Sequence, residues 1–455
     1  MRTRALRAIL RACLLTGLIT GSLVSCARVG MPPPKAPRTG PIGVPLPEGG
    51  AGVLAPAGGA APEVFSGTTR RPLRFDEVRG LWVVRYSMTS PASVRAVVDR
   101  AWRSGFNTLM VQVRGRGDAF YASALEPRGE ALARQPASFD PLQEVIAAAH
   151  ARGMGVHAWM NVDLVTDLTE VPTDPRHIAD AHPEALMVPR ALARELNGMS
   201  PNDPRYARRL LGWAQENSNR VEGLYAGPWS APVRERVAAV AADLVQRYDL
   251  DGIHLDYIRY PGPDFDYSAG ALNAFRGWAL PLLERERRQH LDLATERNPL
   301  AWADSLPDMW STFRREQITS LVERIHIVVK AQRPWVIVSA AVFPDTVDAR
   351  RDRFQDWPTW AREGLVDALA PMAYASDDRR FRAQMENVMA AAPRTEVWAG
   401  IGSYLTGLDG TLSKIAIARR LGTRGVLLFS YDWAVSPEGG GGESFLERIG
   451  RSFGG

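Results

Sequence analysis

Cysteine is nearly absent from this 455-residue chain: only Cys13 and Cys26 occur. Neither a disulfide framework nor a zinc site built on several thiolates can be assembled from that pair. Lysine is almost as scarce, with Lys35, Lys330 and Lys414, so nearly all positive charge is arginine. Those arginines are interleaved with acids, as in Glu284-Arg285-Glu286-Arg287-Arg288, and the net charge is only +5. A balanced, solvated face of that kind argues against a nucleic-acid partner. Seven histidines occur, none at a spacing such as His-x-x-x-His, and no metal is expected. A phosphate-cradling glycine loop is missing too. Gly115-Arg116-Gly117 lacks the third glycine and its spacing, so no dinucleotide cofactor is expected.

The two ends differ from the middle. Arg2, Arg4, Arg7 and Arg11 precede a mostly apolar run from Cys13 to Val24. That run is short for a membrane span and has the layout of a secretory signal. It closes on Leu23-Val24-Ser25-Cys26, which resembles the lipobox of bacterial lipoproteins. The resemblance implies that residues 1–25 are removed and that Cys26 carries a lipid. Ala27 in the next position then implies the outer membrane of a bacterial envelope, facing the periplasm. Residues 26–74 are rich in Pro, Gly and Ala, as in Met31-Pro32-Pro33-Pro34, and read as a tether between membrane and folded domain. Residues 437–455 carry a four-glycine run and read as a tail ending in a short docking helix over 445–453.

Between these ends, residues 75–436 alternate short apolar runs with helical periodicity. The runs are Arg79–Val84, Thr108–Val113, Gly155–Val162, Gly252–Tyr257, Val336–Phe343, Ala368–Tyr374, Val397–Ile401 and Gly425–Ser430. Helical patterns between them include Ser93–Ser104, Pro141–Arg152, Arg234–Tyr248 and Gln317–Gln332. Eight β-then-α units predict an α/β fold, a (β/α)8 TIM barrel, with long insertions after strands 3 and 4. These insertions hold Tyr206, Trp213, Tyr225, Trp229, Trp278, Trp302 and Trp310. Aromatic rings at a barrel mouth are expected to stack on sugar rings.

The most telling run is Asp251-Gly252-Ile253-His254-Leu255-Asp256-Tyr257-Ile258-Arg259-Tyr260-Pro261. A buried strand that ends in a carboxylate, aromatics and a guanidinium is expected to open into an active site. This run, together with Gly117-Asp118-Ala119-Phe120-Tyr121, Phe139-Asp140-Pro141-Leu142, Gly155-Val156-His157-Ala158-Trp159-Met160-Asn161, His182-Pro183-Glu184 and Ala370-Pro371-Met372-Ala373-Tyr374, resembles the family 10 glycosyl-hydrolase-like proteins. The resemblance implies a glycoside hydrolase of the cell envelope acting on peptidoglycan strands poor in stem peptide. Two other readings stand beside it: a glycan-binding lipoprotein without turnover, and a hydrolase of an exopolysaccharide.

Glycoside hydrolysis generally needs two carboxyl groups. Asp256 is the first candidate. Arg259 close by is expected to lower its pKa, which suits a nucleophile or a charge stabiliser. The acid is then expected from another strand end, with Asp163, Asp345 and Asp432 as candidates. Substrate contacts are expected from Arg85, Arg114, Asn161, Tyr257, Arg259, Tyr374, Tyr431 and Trp433, while His157 is expected to be a core histidine. The fourth strand is also similar to the chitinase-type motif, but Ile258 stands where that motif has its catalytic glutamate.

Overall fold

The computed structural model describes residues 73–437 and 443–454. The expected signal segment, Cys26 and all but the last two residues of the expected tether lie outside the described residues.

Eight parallel strands close into one barrel in chain order. They are β1 (Val78–Val83), β2 (Thr108–Arg114), β3 (Gly155–Asn161), β4 (Gly252–Asp256), β5 (Ile337–Val342), β6 (Ala368–Pro371), β7 (Glu396–Gly402) and β8 (Gly425–Phe429). Each is followed by a helix that returns the chain: α1 (Pro91–Arg103), α2 (Pro141–His150), α3 (Ala231–Arg247), α4 (Pro307–Gln332), α5 (Trp357–Glu363), α6 (Asp378–Ala391), α7 (Ser403–Arg420) and α8 (Glu443–Arg451). This is the (β/α)8 barrel the alternation predicts. Strands covered on both faces read as continuous apolar runs, and β2 is buried at every position.

Local sequence sets the helix starts. Ser90 accepts from the Ser93 amide while Ser93 answers the Ser90 amide, and Pro91 opens α1. Asp140 caps α2 through the amides of Leu142 and Gln143, again with proline first. Each such cap is worth about 1 kcal/mol.

The barrel interior is filled by Trp82, Met110, Trp159, Trp398 and Leu427, with the small Ala368 and Ala370 making room. One polar chain crosses it. The indole N–H of Trp82 donates to Nε2 of His254 at 3.0 Å, and His254 Nδ1 lies 2.9 Å from Ser339 Oγ. His157 is buried edge-on to Trp398, and burial lowers its pKa to about 4.

Asp251 fastens the floor, the amino-terminal end of the strands. It accepts from the amides of Leu73 and Val156, each at 2.9 Å, and meets His150 Nε2 at 2.9 Å. Behind the glycines, α8 buries Phe445, Leu446 and Ile449. Phe453 packs on Phe106, and Phe445 on Trp433. Among the described residues, no helix is long and apolar enough to cross a membrane.

The two insertions are as long as expected, yet most of their aromatic residues face inward. Tyr267, Phe275, Trp302, Trp310 and Phe313 build a second small core, and Tyr206, Trp213 and Tyr225 are buried in the main one. Expectation and structure part here because an insertion of this size must bury its own apolar surface before it can present any.

Candidate active site

The site is built at the carboxyl end of β4. Asp256 is the last residue of the strand, and its Oδ1 accepts from the Tyr257 amide at 2.7 Å. Tyr257 then takes a left-handed φ of 49°, a conformation that costs a non-glycine residue of the order of 1 kcal/mol. The turn brings the Arg259 guanidinium back over the Tyr257 ring, 4.5 Å from its centroid. The Arg259 amide donates to Asp163 Oδ2 at 3.0 Å, which locks the turn.

Burial dominates the electrostatics of Asp256. Loss of water raises its pKa, the nearby Glu222 carboxylate adds to the rise, and Arg259, the Tyr257 amide and the Trp159 indole oppose it. The balance comes out at about 6, not below the ordinary value as the proximity of Arg259 suggested. About one carboxyl in ten is then protonated at pH 7, against roughly one in a thousand at an ordinary aspartate. Such a group can give a proton, so Asp256 has the character of an acid.

Glu222 was not among the residues the sequence pointed to. It comes from the returning limb of the first insertion, where residues 223–226 run antiparallel to 163–166. Val165 N donates to Leu224 O at 2.9 Å, Ala226 N to Asp163 O at 2.8 Å and Leu224 N to Thr166 Oγ1 at 3.0 Å. The approach is so close that a Cβ on Gly223 would fall 2.0 Å from Thr166 O. Glycine is therefore required at that point, and it sets Glu222 beside the exit of β3. There Tyr225 donates its hydroxyl to Glu222 Oε2 at 2.5 Å, and Arg259 Nη2 stands 3.8 Å from Oε1. The only sequence signal was Glu222-Gly223-Leu224-Tyr225 itself, which has neither strand nor helix periodicity.

Aromatic rings form the far wall. Phe429, Tyr374 and Tyr404, at or just past the ends of β8, β6 and β7, pack with centroids 5.7 to 6.2 Å apart, and Phe429 rests on Trp82 of the barrel interior at 6.1 Å. Arg85 is buried just past β1, against the rings of Tyr86 and Phe120. It donates to Gln112 Oε1 and to the Tyr86 hydroxyl and lies 3.9 Å from Asp118. On the other side, Arg259 and Arg353 bracket the Phe343 ring at 5.2 and 5.0 Å.

The remaining expected residues have other occupations. Arg114 is fully buried, doubly bonded to Glu126 at 2.9 and 3.0 Å and bonded to the carbonyls of Asn161 and Val162. It ties β2 to β3 and is closed to a ligand. Asn161 spends its amide on Gly115 O and its carbonyl on the Trp159 indole. Asp163 is inaccessible, and burial raises its pKa well above the ordinary range. Its task is to hold the β4 turn. Asp345 is exposed and caps a short helix through the amides of Val347 and Asp348. Asp432 accepts from the Val84 amide and the Ser87 hydroxyl, joining the end of β8 to β1, and burial raises its pKa to about 6. Tyr431 receives a hydrogen bond from Arg100 of α1, and Trp433 packs under α8. Both ride on a short helix over Tyr431–Ala434, and the partners seen for them belong to α1 and α8, not to the rings at the mouth. Of the sequence candidates, then, the structure sets Asp256, Tyr257 and Arg259 together at the end of β4 and Tyr374 in the aromatic wall, and leaves Arg85 buried between Gln112 and Phe120.

A cleft of about 540 Å³ lies at the opposite end, lined by Arg74, Ile337, Asp367, Arg394 and Glu396 among others. It sits beneath the strands, on the face that carries stability in these barrels rather than chemistry. Among the described residues, no three His, Cys, Asp or Glu side chains converge as a metal site would require.

Comparison with known proteins agrees with this geometry. The chain is 24% identical over 400 residues to the glycosyl hydrolase DigH of Escherichia coli strain K12, a match covering 78% of each chain. It is 25% identical over 299 residues to the glycosyl hydrolase YngK of Bacillus subtilis strain 168, covering 62% of this chain and about half (48%) of that relative. Among solved structures, the PgaB (BpsB) glycoside hydrolase domain of Bordetella bronchiseptica superposes with a TM-score of 0.55 at 14% identity, covering 82% of this chain and 99% of that one. The β-galactosidase Gan42B gives 0.53 at 16% identity, with 84% and 57% covered. These likenesses establish the fold. The model of the glycosyl hydrolase-like 10 family matches residues 77–410, and the chain belongs to that family.

Proposed function

We propose that this protein is a glycoside hydrolase acting on cell-wall glycan, poor in stem peptide, from a lipid-anchored position on Cys26 in a bacterial envelope. The observation that carries the catalytic part is Asp256. It is a carboxyl at the carboxyl end of β4, raised to about 6 by burial, at the same end of the barrel as the rings of Tyr374, Tyr404 and Phe429. A carboxylic acid available near neutral pH can protonate a glycosidic oxygen, the step that makes a sugar alkoxide a viable leaving group. Rings such as Tyr374 and Tyr404 complement the C–H faces of sugars. Arg85 is itself buried and engaged with Gln112 and Tyr86, so it supports the opening and does not offer donors to a sugar.

The choice of wall glycan is supported by the lipobox-like Leu23-Val24-Ser25-Cys26 and by the resemblance to the family 10 glycosyl-hydrolase-like proteins. The test uses the full chain and its Asp256→Asn variant, each incubated with intact and peptide-stripped peptidoglycan strands. Fragments are read by mass spectrometry. New reducing ends from the parent alone support the proposal. Retention of strands by both proteins without any cleavage favours a binding lipoprotein instead.

A further inference from the structure

A lone acid does not complete a hydrolysis; the anomeric carbon must also receive a water and lose that water's proton. We propose that Glu222 is the base of this reaction, which makes the enzyme an inverting one. The assignment rests on the hydrolase reading above.

Three observations carry it. Glu222 stands 3.8 Å from the Arg259 guanidinium, the same cation whose charge acts on Asp256. Its side chain remains about one quarter accessible, whereas Asp163 is sealed and Asp345 and Asp432 are engaged in capping and strand closure. Its two oxygens are also differentiated. Oε2 takes the Tyr225 hydroxyl at 2.5 Å, while Arg259 Nη2 stays at 3.8 Å from Oε1, an ion-pair distance and not a hydrogen bond. Oε1 therefore keeps a lone pair for a proton, and Tyr225 fixes the direction in which it points.

The step balances. Asp256 gives its proton to the glycosidic oxygen as the bond from that oxygen to C1 breaks, with the electron pair leaving on oxygen. The oxygen of water bonds to C1 from the opposite face. Glu222 Oε1 takes the proton that this water sheds. Asp256 ends as a carboxylate and Glu222 as a carboxylic acid, and exchange with solvent restores both. No co-reactant besides water is needed.

Because Asp256 and Glu222 act on opposite sides of the bond, their variants differ in a way that damage to the fold does not imitate. The experiment compares the full-length parent, Asp256→Asn, Glu222→Gln and Glu222→Ala on peptide-free glycan strands and on a nitrophenyl glycoside of the repeating disaccharide. Asp256→Asn should lose the strands but keep most of its rate on the nitrophenyl glycoside, whose leaving group needs no proton. Glu222→Gln should fall by about a hundred- to ten-thousandfold on both. Azide should restore Glu222→Ala on the nitrophenyl glycoside, yielding a glycosyl azide, and NMR of fresh product from the parent should show inverted configuration. A Glu222→Gln rate close to that of a cleaving parent overturns the assignment alone. Retained configuration overturns the base role, since Glu222 or another group would then form an ester with C1. A parent that cleaves neither substrate overturns the hydrolase reading and this assignment with it. Equal unfolding midpoints for parent and Glu222→Gln keep loss of fold out of the comparison.

Discussion

Trp82 of β1 and His254 of β4 meet across the barrel axis, the indole N–H donating to Nε2 at 3.0 Å. An indole is only a donor, so Nε2 must be the acceptor and the proton of the neutral ring must sit on Nδ1. Nδ1 then donates to Ser339 Oγ at 2.9 Å. Burial pushes the pKa of His254 down to about 3. Nitrogen NMR should therefore find this ring neutral and protonated on Nδ1 from pH 8 down to pH 5. A His254 signal titrating near 6.5 would contradict the arrangement.

The acid role proposed for Asp256 carries a pH signature. Activity on glycan strands should decline as pH rises through about 6, because the acid loses its proton there. Arg259 opposes that rise, so Arg259→Met should move the decline to higher pH while lowering the rate. The profile on a nitrophenyl glycoside should lack this limb.

Buried carboxyls also shape stability. Asp256, Asp266 and Asp432 all have their pKa raised to about 6 by burial. Between the unfolded value near 4 and the folded value near 6, the native state binds more protons than the unfolded chain. Stability contributed by these groups is therefore full below about 4, lost as pH climbs to about 6, and constant above. Denaturant midpoints at pH 4.5 and 7 should show the fall, and Asp432→Asn should reduce it.

Arg114 and Glu126 form a sealed ion pair. Removing one partner leaves the other charged and buried, at a cost of about 3–5 kcal/mol. Arg114→Met should thus show a large loss in chemical denaturation. Its affinity for glycan, measured on the surviving folded fraction, should be close to the parent's, as a residue outside the binding surface requires.

Tyr404 is partly exposed in the aromatic wall with Tyr374 and Phe429. Tyr404→Ala should weaken retention of glycan strands by about three- to tenfold, the worth of one aromatic contact. Strand co-sedimentation reads this directly.

The barrel was legible because its strands are short, apolar and evenly separated by helical patterns. Gly252–Asp256 and Thr108–Arg114 fall within a residue of where alternation set them. Asp256 was legible for the same reason, since an apolar run that turns polar marks a strand end. The same pattern misled at Asp345, where Asp345-Thr346-Val347-Asp348 is equally a helix-capping signature. It misled again at Arg114, whose guanidinium turns toward Glu126, twelve residues on. Neighbours in space decide such cases, and no periodicity encodes them. Glu222 was hidden for a further reason: backbone pairing between 163–166 and 223–226 brings it in, and Gly223 is the one residue that records the close passage.

The Leu73 amide is bound to Asp251 at the floor, just ahead of β4, whereas Asp256 ends that strand at the mouth. Leu73 and the candidate acid thus lie at opposite ends of the barrel. A protein held at Leu73 itself, for instance on a chromatography resin, turns its opening outward and keeps it clear of the support. Polymer too large to slip beneath the domain still reaches the carboxylates, so immobilisation at that end of the barrel is the orientation in which long glycan strands can be offered to it.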